Sequence, residues 1–291
     1  MGNLKAYLQL TRPANLVTAL ADILAGVAIA QFTFYSPYLV PGSLLLATLG
    51  LYGGGVVMND VFDAELDAVE RPERPIPSGR VSLGSATTLG VMLLLAGIAF
   101  AALYSPLSAS IAALVAVGAL VYDKWAKHSA LLGPLTMGLC RGGNLLLGIS
   151  SVPQALYDWG FLALVPVVYI GAITLISQDE VHGGKRRTLY IAASLYLLVH
   201  LVQLAVSFTK GNLLLTAPLV ALHAWMIGRP LLVAIKNPVG PLIGKAVKAG
   251  VISLIIMNAA WCMAFGNWHL ALIGILLLPI SLKLARIFAV T

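Results

Sequence analysis

Long apolar stretches dominate this sequence, and they constrain its possible fold more than any other feature. A helix needs about 20 mostly apolar residues to cross the hydrocarbon core of a bilayer. Ten stretches approach that length, at 14–33, 39–58, 84–104, 107–122, 130–150, 160–177, 189–208, 212–228, 245–265 and 268–289. The fourth and the eighth are short, and little more than Gly266-Asn267 separates the last two. The sequence therefore predicts an all-α, polytopic membrane bundle of nine or ten transmembrane helices.

The charged residues are few and unevenly placed. They make up only 10% of the chain, against roughly 25% in soluble domains. A net charge of +7 would favour a nucleic-acid partner in a soluble protein, but 16 of the 18 lysines and arginines fall on one side of the predicted bundle. The positive-inside rule places that side, with the N-terminus and the acidic loops, in the cytoplasm.

The chain is thus predicted to be a multi-pass protein of a bacterial-type inner or cytoplasmic membrane. Its expected surroundings are the lipid bilayer, and no nucleic acid is expected among its partners. No linker or low-complexity stretch interrupts the sequence. Residues 1–291 are therefore predicted to form a single domain.

An acidic segment, Asn-Asp-Val-Phe-Asp-Ala-Glu-Leu-Asp, follows the second apolar stretch. Asp60, Asp63 and Asp67 are spaced three and four residues apart, which would place their carboxylates on one face of a helix. Asn59 lies four residues before Asp63 and would join that face. Three neighbouring carboxylates repel each other unless a cation lies between them, and Mg²⁺ usually takes one or two carboxylates together with substrate phosphates. A solvated loop of mixed charge is the alternative interpretation.

Arginines and prolines follow the acidic face at 71–80, and arginine suits phosphate oxygens. The pattern Asn-Asp-x-x-Asp-x-x-x-Asp, then Arg-Pro-Ile-Pro-Ser-Gly, closely resembles the first motif of the UbiA superfamily of intramembrane prenyltransferases. The resemblance implies a helical bundle, usually of nine spans, around a polar cavity near the cytoplasmic face. It also implies that Mg²⁺ and an isoprenyl diphosphate bind there. In this motif it gives metal-binding and catalytic roles to Asp60, Asp63 and Asp67, and substrate binding to Asn59 and Arg74.

A second acidic stretch, at 177–189, also follows an apolar span and runs into basic residues. It resembles the second UbiA motif, in which two aspartates four residues apart precede a glycine and a Lys/Arg-Thr-Leu tail. Counted back from that tail, the aspartate positions hold Ser177 and Val181, whereas the acids present are the adjacent Asp179 and Glu180. Neighbours on a helix point about 100° apart, so only one of these acids is expected to face a shared metal.

The resemblance implies a metal-binding and catalytic role for Asp179, and substrate binding for Glu180 and Lys185. The variant sequence Glu-Val-His-Gly-Gly is similar to the EboC-like branch of the superfamily. The departure from two spaced aspartates puts a second Mg²⁺ in doubt. It leaves open a member of the fold that binds an isoprenoid lipid without catalysis.

Two further stretches carry polar residues in or beside spans. Tyr122 and Lys127 resemble the family's tyrosine-then-lysine segment, and Lys127 matches it better than Lys124. This implies a lysine clamp on the diphosphate, with Tyr122 donating a hydrogen bond or stabilising a cation with its ring. Lysines that snorkel to the membrane surface are the alternative. Arg141 and Asn144, three residues apart, resemble the family's Arg-x-x-Asn pair, which faces the cavity and binds substrate.

An arginine inside a span costs roughly 3 kcal/mol even on a lenient scale, so such residues mark function by default. Asp22 in the first span is the other intramembrane charge. A purely structural ion pair between Asp22 and Arg141 is the alternative interpretation. Asn15, at the start of the first span, matches a polar position of the family and is expected to line the substrate pocket.

The residues and the resemblance together predict Mg²⁺-dependent transfer of an isoprenyl chain from its diphosphate to an acceptor that the sequence does not identify. Metal and basic groups would neutralise the charge that develops as the carbon–oxygen bond ionises. A bilayer bundle supplies the water-poor site that a carbocation needs. The alternatives are the non-catalytic isoprenoid-binding member and a membrane transporter, since Asp22 and Arg141 also suit a substrate path.

Overall fold

Helices account for nearly all of the regular structure in this protein. The computed structural model describes residues 2–31, 40–178 and 184–288, and these ranges contain no β-strand. The α-helices, in chain order, are α1 (Gly2–Leu10), α2 (Pro13–Ile29), α3 (Val40–Phe62), α4 (Ala64–Glu70), α5 (Leu83–Ala102), α6 (Pro106–Lys124), α7 (Leu132–Ile149), α8 (Pro153–Trp159), α9 (Leu164–Ser177), α10 (Arg186–Thr209), α11 (Leu213–Lys236), α12 (Gly240–Ala264) and α13 (Trp268–Ile287). The predicted all-α fold is confirmed.

The spans agree with the predicted count of nine or ten. Among the described residues, eight helical stretches are long and apolar enough to cross a membrane, namely α3, α5, α6, α8 with α9, α10, α11, α12 and α13. The pair α1 and α2, bent by 48°, makes a ninth if counted as one span. Helix α7 is the remaining long helix, and Arg141 and Asn144 lower its mean hydropathy. The protein is an integral membrane protein.

The two stretches that looked short in the sequence are parts of full-length helices. Helix α6 has 19 residues and α11 has 24. Helix α11 continues through Pro230 to Lys236, and α12 begins at Gly240 rather than at 245. The connection between them is therefore only residues 237–239. The basic residues expected in that connection lie on exposed helix surfaces near its ends, because long side chains can reach the membrane surface from there.

Helices α2 and α12 form the centre of the bundle. Nearly every residue of α2 is buried, and α2 contacts α3, α7, α12 and α13. Glycines allow the closest of these approaches. A Cβ atom on Gly26 of α2 would lie 2.6 Å from the Cα atom of Gly148 of α7. Small residues drive helix association in membranes by allowing such backbone contact.

One end of the bundle, which we call the polar end, carries most of the charged residues. Helix α3 ends there at Phe62, and the short helix α4 follows. The ends of α6 and α9 and the beginnings of α2, α7 and α12 lie at the same end, because successive spans alternate in direction. A cavity of about 420 Å³ opens among these helices.

Candidate functional site

The cavity at the polar end has a charged mouth and a largely apolar interior. Side chains of α2, α3, α6, α7, α9 and α12 line it, with help from the connections after α4 and α6. Its polar lining is Arg12, Asn15, Thr48, Tyr52, Asn59, Asp63, Arg71, Arg74, Tyr122, Asp123, Lys127, Arg141, Asn144, Thr174 and Ser177. Its apolar walls include Leu51, Val115, Ile170, Ile173 and Leu254.

Two of the three aspartates of the first motif are buried in ion pairs and do not line the cavity. The Nη2 atom of Arg12 donates to Oδ1 of Asp60 at 2.8 Å, and Nη1 of Arg74 lies 3.3 Å from the same oxygen. Arg74 Nη1 also donates to Oδ2 of Asp67 at 2.7 Å. Arg74 therefore bridges two buried carboxylates, and its positive charge offsets their mutual repulsion. The two aspartates hold Arg12 and Arg74 at the cavity.

Asp63 is separated from this arrangement. Helix α3 ends one residue before it, and α4 begins one residue after it. Its Oδ1 accepts a hydrogen bond from Nζ of Lys127 at 2.5 Å. The expected single helical stripe of Asp60, Asp63 and Asp67 is thus wrong, because α3 and α4 are separated at Asp63 and Asp63 binds Lys127, whereas Arg74 joins Asp60 to Asp67. The predicted metal-binding roles of these aspartates stay predictions.

The end of α6 and the turn after it bring three polar side chains to the cavity. Tyr122, Asp123 and Lys127 line it, whereas Lys124 lies over the ring of Trp125 at 4.7 Å. Asp123 is only 4% exposed, and its Oδ1 accepts a hydrogen bond from Nδ2 of Asn59 at 3.0 Å. The cavity thus joins the first motif on α3 to the tyrosine-and-lysine segment on α6.

Arg141 and Asn144 lie deep in the cavity, within a buried polar cluster. Arg141 Nε lies 2.6 Å from Oδ2 of Asp22, and Arg141 Nη2 donates to Oγ1 of Thr18 at 2.9 Å. Nδ2 of Asn144 donates to the same Asp22 oxygen at 2.9 Å. Nδ2 of Asn258 donates to the other Asp22 oxygen at 2.6 Å. The ion pair considered as a structural alternative is present, and both Arg141 and Asn144 also line the cavity.

The remaining predicted residues divide into three groups. Asn15 is buried and lines the cavity. Lys185 is exposed at the residue before α10 and is not among the lining residues. Asp179 and Glu180 lie outside the described residues. Ser177, at the first aspartate position of the second motif, does line the cavity, and its hydroxyl donates to the carbonyl of Thr174 at 2.9 Å.

Several site residues were missed in the sequence because their partners are far away along the chain. Arg12 precedes the first apolar stretch and belongs to no motif, yet it binds Asp60 and has a left-handed backbone (φ 44°) that is uncommon outside glycine. Thr48 donates to Oδ1 of Asn144 at 2.7 Å. Asp123 had one local signal, its place directly after Tyr122. Asn258 had none, since 236 positions separate it from Asp22.

The donor set of the cavity fits Mg²⁺. Within residues 2–31, 40–178 and 184–288, no three His, Cys, Asp or Glu side chains come together as a metal site. Two carboxylates and one amide, those of Asp63, Asp123 and Asn59, do line the cavity. Mg²⁺ prefers oxygen ligands and is commonly bound by one or two carboxylates, with water and substrate phosphates completing its shell.

Known proteins resemble this chain in both sequence and fold. The profile of the UbiA prenyltransferase family matches residues 19–241. A digeranylgeranylglyceryl phosphate synthase from Methanoculleus marisnigri is 38% identical over 194 residues, which are 64% of this chain and 68% of the relative. A relative of the same name from Sulfurisphaera tokodaii is 30% identical over 187 residues, 60% of this chain and 62% of that protein.

Two solved structures show the same helical fold. The apo structure of a UbiA homologue from Aeropyrum pernix K1 superposes with a TM-score of 0.69 and 19% identity, over 84% of this chain and 96% of the homologue. A UbiA homologue from Archaeoglobus fulgidus bound to GPP and Mg²⁺ superposes with a TM-score of 0.63 and 15% identity, over 86% and 99%.

The more specific resemblance to the EboC-like branch stays a prediction, because these relatives do not bear on it. The family profile, in contrast, covers well over half of the 291 residues, from α2 to the start of α12. The polytopic helical fold and the first-motif residues around the cavity agree with it. The chain therefore belongs to the UbiA prenyltransferase family, which confirms the predicted family and enzyme class.

Proposed function

We propose that this protein transfers an isoprenyl chain from an isoprenyl diphosphate to a hydroxyl group of a glyceryl phosphate lipid, with Mg²⁺ as cofactor. The observation that carries the proposal is the cavity itself. Its mouth gathers Arg12, Arg74 and Lys127 around Asp63, and its interior is apolar. Such a site suits a ligand with an anionic head and a long hydrocarbon tail.

The basic side chains at the mouth would bind the diphosphate of the donor. Arg12 and Arg74 are held in place by Asp60 and Asp67, so they are oriented before substrate arrives. Lys127 Nζ, now on Asp63, is the third cation. Charge-assisted hydrogen bonds from such groups to phosphate oxygens are among the stronger ones in proteins. The GPP and Mg²⁺ in the Archaeoglobus fulgidus homologue support this assignment.

Bound Mg²⁺ supplies positive charge that stabilises the diphosphate as it leaves. Of the predicted ligands, Asp63 lies on the cavity surface and is the one best placed for this role. Asp60 and Asp67 would have to exchange their arginine partners to bind the ion. We retain Asp179 as a proposed ligand from the motif alone.

In the proposed reaction, the bond between the allylic carbon and the diphosphate oxygen breaks, and its electron pair leaves with the diphosphate. The acceptor hydroxyl oxygen forms the new bond to that carbon, and its proton passes to the departing diphosphate. The rings of Tyr52 and Tyr122, both on the cavity surface, can stabilise positive charge on the carbon. Apolar walls such as Leu51 and Ile173 limit the access of water, which would otherwise capture the cation.

The names of the relatives support the proposed acceptor class. Their name, digeranylgeranylglyceryl phosphate synthase, describes a glyceryl phosphate with two isoprenoid chains, so their acceptor would already carry one. In this protein, Arg71 lines the mouth with a 45% exposed side chain, 4.0 Å from Asp67. It is the least committed arginine of the mouth, and we assign it to the acceptor phosphate. Arg141 and Asn144 would contact the substrate deeper in the cavity.

We also propose that the polar end faces the cytoplasm and that residues 1–291 form one domain. The positive-inside rule supports the orientation. The packing of α2 against α12 and α13 supports a single domain, because it joins the two ends of the chain. Family membership in a group of prenyltransferases leaves no observation in favour of the transporter alternative.

The non-catalytic alternative has one observation in its favour, since Ser177 replaces an expected aspartate on the cavity surface. The test is diphosphate release by the purified protein in nanodiscs. It would be supplied with allylic diphosphates of several chain lengths and with glyceryl phosphate lipids carrying one isoprenoid chain, with Mg²⁺ or with EDTA. Release that needs Mg²⁺, acceptor and Asp63 is the expected result. Donor binding without release under every condition would establish the non-catalytic alternative instead.

A further inference from the structure

The described part of the cavity contains one buried carboxylate that no basic side chain neutralises. Four aspartates of the described ranges are buried, and basic groups bind three of them. Arg141 lies on Asp22, Arg12 and Arg74 lie on Asp60, and Arg74 lies on Asp67. Asp123, the fourth, forms no ion pair with any residue that the structure describes. We propose that Asp123 is a further metal ligand, acting with Asn59 and Asp63, and this rests on the proposed Mg²⁺–diphosphate site.

The hydrogen bonding of Asp123 points to a ligand. Its Oδ1 accepts from Asn59, whereas its Oδ2 is buried without a hydrogen-bond partner among the described atoms. A buried carboxylate oxygen without a partner is costly, so such atoms in native proteins usually meet water, an ion or a ligand. Because Asn59 donates with its NH₂ group, its carbonyl oxygen is left as an acceptor. Oxygen atoms of these two residues are the kind that Mg²⁺ prefers.

Asp123 could compensate for the aspartate that is missing from the altered second motif. The first aspartate position of that motif is Ser177, whose hydroxyl is occupied by the carbonyl of Thr174. Ser177 and Asp123 line the same cavity, from α9 and α6 respectively. Asp123 would restore to the site the negative charge that serine lacks. The site would then have as many carboxylates facing the diphosphate as the usual motif provides, with one of them on α6 instead of α9.

Metal binding can be measured apart from turnover. Mn²⁺ would be titrated into the protein in nanodiscs, with and without inorganic diphosphate, and free Mn²⁺ followed by electron paramagnetic resonance. We expect Asp123→Asn, which keeps the shape of the side chain, to weaken Mn²⁺ binding by at least ~10-fold. Asp158→Asn, the same change on an exposed residue of α8, is the matched control and should bind like the parent. Adding Ser177→Asp to Asp123→Asn should recover much of the affinity.

The outcomes separate this inference from the proposed function. If Asp63→Asn loses Mn²⁺ binding while Asp123→Asn keeps it, Asp123 is not a ligand and the Mg²⁺ site stands without it. If the parent protein binds no Mn²⁺ even with diphosphate, the metal site and this inference both fail. Thermal unfolding of each variant in detergent would show that a lost affinity is not a lost fold.

A second observation concerns the outer face of the bundle. A groove of about 340 Å³ lies between α11, α12 and α13, lined by Trp225, Arg229, Lys245, Lys248, Ile252 and Leu282, among others. It is on the opposite side of α12 from the cavity, since Val247 and Val251 line the cavity. Arg229, Lys245 and Lys248 make no ion pair within the described residues. The sequence from 181 to 291 holds ten lysines and arginines and no acid.

We infer that this groove binds the phosphate of an anionic membrane phospholipid. Helices α11 and α12 have 24 and 25 residues, or about 36–38 Å at 1.5 Å per residue. This exceeds the roughly 30 Å hydrocarbon core, so their ends reach the headgroup layer. Arg229 and Lys248 lie within about 12 Å of those ends, and their long side chains can extend from there toward the lipid phosphates. Trp225 and Ile252 would contact the acyl chains.

The test compares nanodiscs of neutral lipid with nanodiscs containing phosphatidylglycerol. Anionic lipid should raise the thermal unfolding temperature of the parent and remain bound in native mass spectra. Arg229→Gln with Lys245→Gln and Lys248→Gln should lose both effects. Lys236→Gln with Lys283→Gln and Arg286→Gln, the same three changes outside the lining of the groove, should keep them. An unchanged response in the first triple variant, or an equal shift from inorganic phosphate in neutral lipid, would overturn the inference.

Discussion

Arg141 on α7 and Asp22 on α2 form a buried ion pair, with Nε of the arginine 2.6 Å from Oδ2 of the aspartate. The pair lies at the inner end of the cavity, and two asparagines also form hydrogen bonds with its aspartate. Asn144 donates to one oxygen of Asp22 and Asn258 donates to the other. Asp22 thus has its charge balanced and both oxygens satisfied. It positions Arg141 toward the cavity.

Removal of both partners of this pair should destabilise the protein by less than the sum of the two single removals. Breaking a buried ion pair costs about 3–5 kcal/mol, because one charge is left uncompensated. We expect Asp22→Asn to lower the unfolding temperature strongly, and Asp22→Asn with Arg141→Gln to lower it less than the sum of the two single changes. The measurement is thermal unfolding in detergent. Additive single effects would show that the two charges are not coupled.

Lys127 and Lys124 provide a matched pair for the diphosphate clamp. They lie three residues apart, but only Lys127 lines the cavity, and Lys124 lies over Trp125. A hydrogen bond to a charged group contributes about 1.5–3 kcal/mol. Lys127→Ala should therefore raise the KM for the isoprenyl diphosphate by about 10- to 100-fold, and Lys124→Ala should leave it nearly unchanged. Equal effects of the two changes would contradict the assignment of Lys127.

Arg74 should not be replaceable by lysine. Its Nη1 atom lies 3.3 Å from Oδ1 of Asp60 and 2.7 Å from Oδ2 of Asp67, and a lysine ammonium on its flexible stem is positioned less rigidly than the planar guanidinium. We expect Arg74→Lys to loosen the connection between α4 and α5, with faster hydrogen exchange in residues 64–81. Arg71→Lys, a change at the more exposed neighbour, serves as the control. Unchanged exchange in Arg74→Lys would mean that charge alone holds this segment.

Position 148, where α7 crosses α2, should tolerate no residue larger than glycine. A Cβ atom on Gly148 would lie 2.8 Å from the carbonyl oxygen of Ile23 and 2.9 Å from the Cα atom of Gly26. Overpacking of this kind costs about 1–3 kcal/mol. Gly148→Ala should therefore lower the unfolding temperature. Gly228→Ala, at a helical glycine with open space around it, should leave it unchanged or raise it.

Much of the candidate site could be predicted from the spacing of residues within short motifs. Asn59, Asp63, Arg74, Tyr122, Lys127, Arg141 and Asn144 were all named from motifs, and all line the cavity. These motifs are short, and each belongs to one helix end or one turn. The geometry within such a segment follows from helical periodicity, which is a property of the local sequence. The helical periodicity failed at Asp63, where α3 and α4 are separated and the carboxylate binds Lys127 from the turn after α6.

Pairings between distant segments could not be read in the same way. Arg12 and Asp60 are 48 positions apart, and Asp22 and Asn258 are 236 apart. Nothing in the local pattern told which basic group would neutralise which carboxylate. For that reason Asp60 and Asp67 looked like metal ligands on one face, although both are bound by arginines. For the same reason, the local sequence could not predict that Asp123 would lack a basic partner among the described residues.

The sequence by itself determined that the protein spans a membrane, that its fold is all-helical and that it belongs to this family. Apolar length and short motifs are local properties of the sequence. The bilayer requires the first, and a metal–diphosphate site requires the second. Only the tertiary structure decided the charge pairing around the cavity. Burial makes an uncompensated charge costly, so each carboxylate takes the base that packing brings within reach. That packing placed basic side chains on Asp22, Asp60, Asp63 and Asp67, and within the described ranges it left Asp123 without one.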